Sequence, residues 1–580
     1  MIKGYTISNF KAFSSPATLP IKPITLIYGQ NSAGKSSILQ SLLLLKQSTA
    51  FERKAINSEE NKSVSNLIVQ GKYTNLHSFE NLIHNNNVDS MLKLRFIIHP
   101  DNLNYYLQEM KALKIIQKLI TEINQIMKYL AIEFTFNFKK KKSEEIVFIE
   151  SIKLFVGDEN QEFIHYYLNS IPGSNESWFT ADNINEDCDF AKFYWEKHGK
   201  KYVKDLLFIE YLCNNRVMNN EEISFLPALP SFSLNSLSIN KNKILRKSIE
   251  IDNYGQLKEL YYHYIYSLCD IYGNNETLFD FDKTNFCQMY EFKFPDEICK
   301  PSLRTIMSGL DLESYIFNDD DYFEIEKNQY WYADHISVIT MMLQKYILEY
   351  LNNIVYIGPF RQIIDNFDYS TEINKIQNNK FYNIYKVLLK NKLVFHEVNK
   401  YLSKLNIEYR LTLDKSLSLD DERQFIVSLI SNGSNIKTNI NNVGFGISQI
   451  LPVITECIGS ITKPIFIEQP ELHLHPALQA ELGDLFIDSA INKNNTLLIE
   501  THSEHILLRI MRRIRETTNE TLPEGATPIR AEDVSLVYVE SIETDGDKHS
   551  IIREMPLNDQ GELVKAWPGG FFEEGLREVF

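Results

Sequence analysis

Ile24-Thr25-Leu26-Ile27-Tyr28 runs directly into Gly29-Gln30-Asn31-Ser32-Ala33-Gly34-Lys35-Ser36-Ser37, and that loop is followed by Ile38-Leu39-Gln40-Ser41-Leu42-Leu43-Leu44-Leu45. The order is apolar strand, glycine-bounded loop, apolar helix. The loop satisfies G-x-x-x-x-G-K-[ST] through Gly29, Gly34, Lys35 and Ser36. A phosphate chain must be met by several backbone N–H groups turned inward, which bulky side chains obstruct and glycine permits. The helix N-terminus behind the loop adds unpaired N–H groups that favour an anion. In such a loop Lys35 reaches the β- and γ-phosphates of a nucleotide and the Ser36 hydroxyl ligates Mg²⁺, with Asn31, Ser32, Ala33 and Ser37 completing the cradle. The same string can arise by chance in an Asn/Ser-rich turn, but chance does not supply the flanking strand and helix.

The rest of the composition sets the frame for this loop. The chain has 580 residues, 44% of them hydrophobic, enough for a large core and more than one domain. Charged residues make up 23%, which excludes a broadly disordered chain. A net charge of −16 is wrong for a protein that coats nucleic acid, so any DNA contact needs a local basic patch. The six cysteines, Cys188, Cys213, Cys269, Cys287, Cys299 and Cys457, include no CxxC pair. That speaks against a zinc site or a disulfide framework and fits a reducing compartment. Met1-Ile2-Lys3-Gly4-Tyr5 opens no signal peptide, and the longest apolar runs are too short to span a bilayer. The expectation is a cytoplasmic protein with no membrane partner.

Along the chain, Ile2 to Phe13 reads as a strand, 53–65 as a polar surface loop, Leu67 to Gly71 as a short strand and Met91 to Ile98 as another. Residues 103–130 carry apolar positions at helical spacing, from Leu107 and Met110 to Ile126 and Met127. Residues 132–156 read as two strands around Lys139-Lys140-Lys141-Lys142. That tip, like the run Lys241, Lys243, Arg246 and Lys247, is either a solvated turn or a DNA contact. Asp319-Asp320-Asp321 lacks the spacing and closing Glu of a calcium loop and reads as a surface turn. Residues 160–340 are rich in Tyr, Phe and Asn without a period. Regular signals return with a helix from Met341 to Leu351, a strand Ile354 to Ile357 ending in Gly358-Pro359-Phe360-Arg361, and strands at Ile407 to Leu413 and Gln424 to Ile430.

The last third carries the remaining chemistry. Pro464-Ile465-Phe466-Ile467-Glu468-Gln469-Pro470-Glu471 is an apolar strand ending in acid, and a nucleotide-bound Mg²⁺ needs a carboxylate in that slot, which Glu468 fits. Val443-Gly444-Phe445-Gly446-Ile447-Ser448-Gln449 places small residues at the start of the helix Ile450 to Ile458, again a pattern for a phosphate contact. Thr496 to Glu500 is a strand running into Thr501-His502-Ser503. A lone histidine is more often structural, but His502 closes a core strand in the order expected of a γ-phosphate sensor.

Taken jointly, these motifs resemble ATP-binding-cassette ATPases of the SMC and RecF type. The likeness is greatest to the OLD-like (overcoming lysogenisation defect) ATPases of bacterial anti-phage defence. It rests on Asn9-Phe10-Lys11-Ala12-Phe13, the Gly29 to Ser36 loop, Gly444 to Gln449, Ile467-Glu468-Gln469-Pro470-Glu471-Leu472-His473-Leu474-His475-Pro476 and Thr501-His502-Ser503. Trp567-Pro568-Gly569-Gly570-Phe571-Phe572 is similar to a C-terminal domain of unknown function found in one branch of these ATPases. The resemblance covers 1–95 and 341–580. It implies an α/β fold: a P-loop ATPase head, 1–95 and 341–530, split by a mixed inserted region at 96–340 and followed by an extension at 531–580. It also implies ATP and Mg²⁺ as cofactors, with Ser36, Glu468 and Gln70 (the Q-loop position) on the metal side. A head-to-head homodimer follows, in which Gly446 and Ser448 of one subunit cap the γ-phosphate held by Lys35 of the other. His473 and His475 then belong to a dimer-facing loop rather than to a metal site. Full OLD proteins carry a Toprim nuclease. The stretch after Ser503 reads as helix, strand Val534 to Glu540, turn at Asp545-Gly546, strand and tail, too little for that domain, so a nuclease effector would be a separate chain.

Two alternatives compete with a regulatory switch. A DNA-tethering SMC needs long heptad arms, which 96–340 does not show, while a RecF-like DNA-repair clamp stays open. A transporter ATPase is disfavoured by the Asn9-Phe10 opening and by His473 to Pro476. One departure from the family pattern bears on mechanism. The position after the Mg²⁺ carboxylate usually holds a glutamate that polarises the attacking water, and here it is Gln469. An amide orients water but takes up no proton. The expectation is slow hydrolysis, with Glu471 either a substitute base or a brace for the loop that follows.

Overall fold

Every residue of Ile24–Gly29 is buried, as a mainly apolar run demands of a strand covered on both faces of a parallel sheet. The computed structural model describes residues 2–49, 67–99, 129–156, 346–361, 391–415 and 424–568, apart from 88, 142–143, 360, 406, 435, 440–441, 443–444 and 545. It also describes Leu343, Leu388 and strands at 162–168, 179–184, 247–250, 290–293 and 366–368.

The loop-bearing strand β3 (Ile24–Gly29) lies inside a six-stranded sheet. The order is β11 (Val355–Ile357), β16 (Pro464–Glu468), β17 (Thr496–Glu500), β3, β18 (Val534–Thr544), β19 (Asp547–Glu554). The first five strands are parallel and β19 returns antiparallel along β18. The register aligns their ends: Glu468 pairs with Glu500, and Glu500 with Ile27. Gly29, Glu468 and Glu500 therefore come out at one edge, the carboxyl edge where open α/β sheets bind ligands.

A second, antiparallel sheet has seven strands, ordered β2 (Ala17–Pro20), β1 (Ile2–Ser8), β4 (Leu92–Ile98), β5 (Leu130–Lys141), β6 (Glu144–Val156), β7 (Glu162–Leu168), β8 (Phe179–Ile184). The helix behind the loop, α1 (Lys35–Thr49), is packed between the two sheets, which explains its solid run of buried leucines from Leu42 to Leu45. Alternate residues of the parallel strands serve the two faces. Ile27, Phe466, Leu498 and Val537 join the α1 side. Leu26, Ile467, Ile499 and Leu536 join the opposite core with α3 (Phe445–Gly459), α4 (Pro476–Asn492) and α5 (Glu504–Thr518). Smaller pieces are β9 (Lys247–Glu250) with β10 (Tyr290–Lys293), and β12 (Asn366–Asp368), β13 (Tyr409–Lys415), β14 (Gln424–Ser431) and β15 (Lys437–Asn439) beside α2 (Lys392–Lys404).

The fold is the expected P-loop α/β fold. Several local expectations change. The opening strand stops at Ser8, because Asn9 and Lys11 take positive φ and Phe10 pairs back on Phe13 in a tight turn. Leu67 to Gly71 is not a strand; Gln70 makes one bridge to Asn75. The Gln47 side chain of α1 takes over the backbone groups of Ile68 and Thr74 instead. The helix expected at 103–130 lies almost wholly outside the described residues, and its last residue, Leu130, opens β5. The hairpin around Lys139 forms, with β5 and β6 paired up to Lys141 and Glu144 across a register shift at Thr135/Phe136. The expected boundary after residue 95 falls inside β4, and the sheet runs on through β5 to β8. Lys241, Lys243, Arg246, the triplet Asp319 to Asp321, every cysteine but the buried Cys457, and Gly569 to Phe572 lie outside the described residues.

Candidate nucleotide site

The loop itself needs its glycines. Gly29 has φ +146°, and a Cβ there would sit 2.2 Å from the Val539 carbonyl oxygen of β18. Gly34 has φ +91°, with Ala12 of the Asn9 to Phe13 turn pressed against it. Ser32 is also left-handed, at φ +62°. Asn31 and Ser32 are exposed at the loop crest, whereas Ala33 is buried below them. Lys35 is buried, and its Nζ donates to the Gly29 and Gln30 carbonyls at 2.9 and 2.7 Å. Burial lowers the pKa of this ammonium, against the raising charges of Glu500 and Glu471. Ser37 N donates to the Gly34 carbonyl and starts the helix.

Two acids face this loop from neighbouring strand ends. Glu468 ends β16, and its Oε1 accepts from the Tyr356 hydroxyl at 3.0 Å. Burial and then the charge of Glu500 push its carboxyl up to about 7, while the Tyr356 bond and Arg361 pull it down. Glu500 ends β17, and its Oε1 accepts from Ser36 Oγ at 3.0 Å. Burial raises this carboxyl too, against Ser36 and Lys35. Glu500 escaped the motif reading. Its signal was nevertheless present: Leu498-Ile499-Glu500 repeats the apolar-strand-then-acid pattern of Phe466-Ile467-Glu468.

The turn after β16 is tied down from two sides. Gln469 adopts φ +46°. Its N–H donates to the Glu500 carbonyl at 2.7 Å, and its own carbonyl accepts from Arg361 Nη2 at 2.9 Å. Arg361, also missed from sequence, is only 3% exposed. Its Nη2 also meets the Glu468 carbonyl at 2.6 Å, its Nη1 meets the Gln449 carbonyl at 3.3 Å, and its peptide group is bridged by the Gln449 side chain. Burial pulls the guanidinium down to about 10 although Glu471 and Glu468 oppose it. One cation thus joins the end of β11, the start of α3 and the turn holding Gln469.

Glu471 spends both oxygens on the loop after β17, accepting from Thr501 Oγ1 at 2.6 Å and His502 N at 2.8 Å. Burial, with the charge of Lys35, lowers the His502 imidazole, which favours its neutral form. Ser503 caps α5, and His475 caps α4 through Nδ1. Gly446 allows α3 to meet the loop after β16: a Cβ there would lie 2.8 Å from the His473 carbonyl oxygen. Ser448 is 8% exposed, covered by its own chain. Gln70 is exposed, with its amide donating to the His77 carbonyl. Among the described residues no group of three or more His, Cys, Asp or Glu is arranged to hold a metal by itself, and no helix is long and apolar enough to cross a membrane.

The family model for an AAA ATPase domain matches residues 1–507. The chain belongs to the AAA ATPase domain family. Residues 529–580 of this AAA ATPase match a second model, described as a protein of unknown function (DUF3696). A comparison with curated proteins finds no match. Among solved structures the AAA ATPase aligns with an SmcHead bound to the C-winged helix domain of ScpA, at 10% identity and TM-score 0.33, covering 96% of this chain and 98% of that one. It aligns likewise with an Smc head domain with an extended coiled coil bound to the C-terminal domain of ScpA from Pyrococcus furiosus, at 11% identity and TM-score 0.32, covering 100% and 98%. At such scores the likeness adds nothing to what strand order and loop geometry already establish.

Proposed function

We propose that this ATPase domain is a slowly hydrolysing ATP switch that closes as a head-to-head homodimer. We propose further that it serves bacterial anti-phage defence by controlling a separate effector protein such as a nuclease. The observation that carries the nucleotide reading is the convergence, at one sheet edge, of the glycine loop, Lys35, Ser36 and two buried acids. Mg²⁺-ATP fits these residues: the loop offers backbone N–H groups, Lys35 a cation, Ser36 a hydroxyl, and Glu500 Oε2 a buried oxygen without a hydrogen-bond partner among the described residues. When bound, a metal held by Ser36 and Glu468 would supply positive charge against the phosphates. The protein's part is positioning. Lys35 would exchange its two loop carbonyls for phosphate oxygens, Ser36 and Glu468 would hold the metal, and neutral His502 would donate a hydrogen bond to the γ-phosphate. Gln469, fixed by Arg361 and Glu500, orients water without deprotonating it.

The switch reading follows from that last point, since slow turnover prolongs the ATP-bound state. ATP that binds the closed dimer better than the open form stabilises closure by the difference. The defence role and the separate effector rest on the resemblance of the motif set. Calorimetry and light scattering test the reading together. Lys35→Ala is expected to abolish tight ATP binding with the melting temperature little changed. Ser448→Arg is expected to keep ATP binding and lose ATP-driven association. Wild-type affinity in a folded Lys35→Ala protein refutes the loop assignment, and undiminished association of Ser448→Arg refutes the composite dimer site.

A further inference from the structure

We infer that Glu500 is a second metal-facing carboxylate, which orients Ser36 through one oxygen and receives a metal-bound water on the other. The inference rests on the Mg²⁺-ATP reading of this site. A serine hydroxyl has one proton and two lone pairs. Ser36 commits its proton to Glu500 Oε1 at 3.0 Å, which leaves the lone pairs free and turned away from that carboxylate, the state a metal ligand requires. Glu468, by contrast, has an oxygen engaged by Tyr356 on the far side of β16 from β17. Of the two acids, the one in contact with the loop serine is Glu500.

The other oxygen of Glu500 makes the case independently. Glu500 is 3% exposed, and its Oε2 has no hydrogen-bond partner among the described residues. A buried carboxylate oxygen left unpaired is costly and calls for a donor. Mg²⁺ bound by one or two carboxylates and phosphates keeps several of its waters, and each is a strong donor. Register adds a third point. Glu468 and Glu500 pair side by side across parallel strands, so two buried carboxylates stand together on the β17 side of a loop that must also receive polyphosphate. Lys35 supplies one positive charge there, and a divalent cation supplies the rest.

The test compares ATP affinity of the full chain by calorimetry in Mg²⁺ and in EDTA. For Glu500→Gln the Mg²⁺-dependent gain in affinity is expected to fall roughly 10–100-fold, the range for residues that hold a metal's outer ligands. ATP affinity in EDTA is expected to equal or exceed wild type, because a repelling charge is gone. If the amide disturbs folding, Glu500→Ala carries the same expectation. The rise in melting temperature that Mg²⁺ adds at fixed ATP is a second readout, and a merely structural role would leave that increment intact. A wild-type ratio of Mg²⁺ to EDTA affinity in both variants overturns the inference while leaving the nucleotide site standing. Wild-type protein that binds no ATP with or without Mg²⁺ overturns the nucleotide reading and this inference with it.

Discussion

In the proposed mechanism Gln469 is the residue on which the rate turns. Its backbone is held in a left-handed conformation by the Glu500 carbonyl and Arg361, so its side chain is presented by a fixed turn. Restoring a carboxylate there should restore proton acceptance without moving the backbone. Gln469→Glu is expected to raise single-turnover hydrolysis roughly a hundredfold, the low end for a positioned general base. A rate equal to wild type in rapid-quench experiments counts against it. Glu471 behaves differently, since both oxygens already accept from Thr501 and His502. Glu471→Gln puts an amide donor against a donor, so it should cost about 1–2 kcal/mol of stability, and its effect on hydrolysis should track loop order rather than pH. Selective loss of hydrolysis at unchanged melting temperature would make Glu471 the base instead. At this scale the glycine loop, Glu468 and His502 were legible because each is announced by adjacent residues. Glu500 and Arg361 were not, because their meaning depends on which strands become neighbours.

At the level of elements, α4 and α5 are joined by an ionic lattice behind the site. Arg509 reaches Glu481 and Asp484, and Arg513 reaches Asp484 and Glu516. Burial alone would raise the Asp484 carboxyl, but hydrogen bonds and charge from Arg513 and Arg509 hold it below the usual carboxylate range. A depressed carboxylate contributes stability above its unfolded value, and that contribution disappears as pH falls through the folded one. The wild-type advantage over Asp484→Asn should therefore be constant near neutrality, at about 3 kcal/mol, and shrink only below about pH 4. Paired denaturation curves against pH check this, and a difference that persists unchanged to pH 2 would assign the effect to packing. The lattice fixes α5, whose cap Ser503 follows His502, so helix pairing is transmitted to the loop that carries His502. The helix from Ile450 to Ile458 and the one after Ser503 were readable as helices, whereas their pairing partners were not.

For the whole molecule, the sequence announced a head in two pieces, since the loop comes before residue 40 and its acid partner after residue 460. The two strands at 132–156 were legible, but not that they and β7 and β8 extend the sheet of β1 and β4, because spacing along a strand does not name its neighbours. The position of β3 between β17 and β18 has a consequence in time. During synthesis the antiparallel strands β1, β2, β4 and β5 emerge together and can pair at once. β3 emerges with them but must wait until Thr496 and then Val534 have been made. At roughly 5–20 residues per second, that delay lasts on the order of half a minute to a minute and a half. Throughout it, an apolar strand destined for complete burial has neither neighbour, which is the condition under which nascent chains stick to one another or to chaperones. A chain stopped after Asn495 is expected to pellet and to bind a hydrophobic dye, while one carried through β19 stays in solution. Equal solubility of the two would mean that β3 finds shelter on the ribosome before its partners exist.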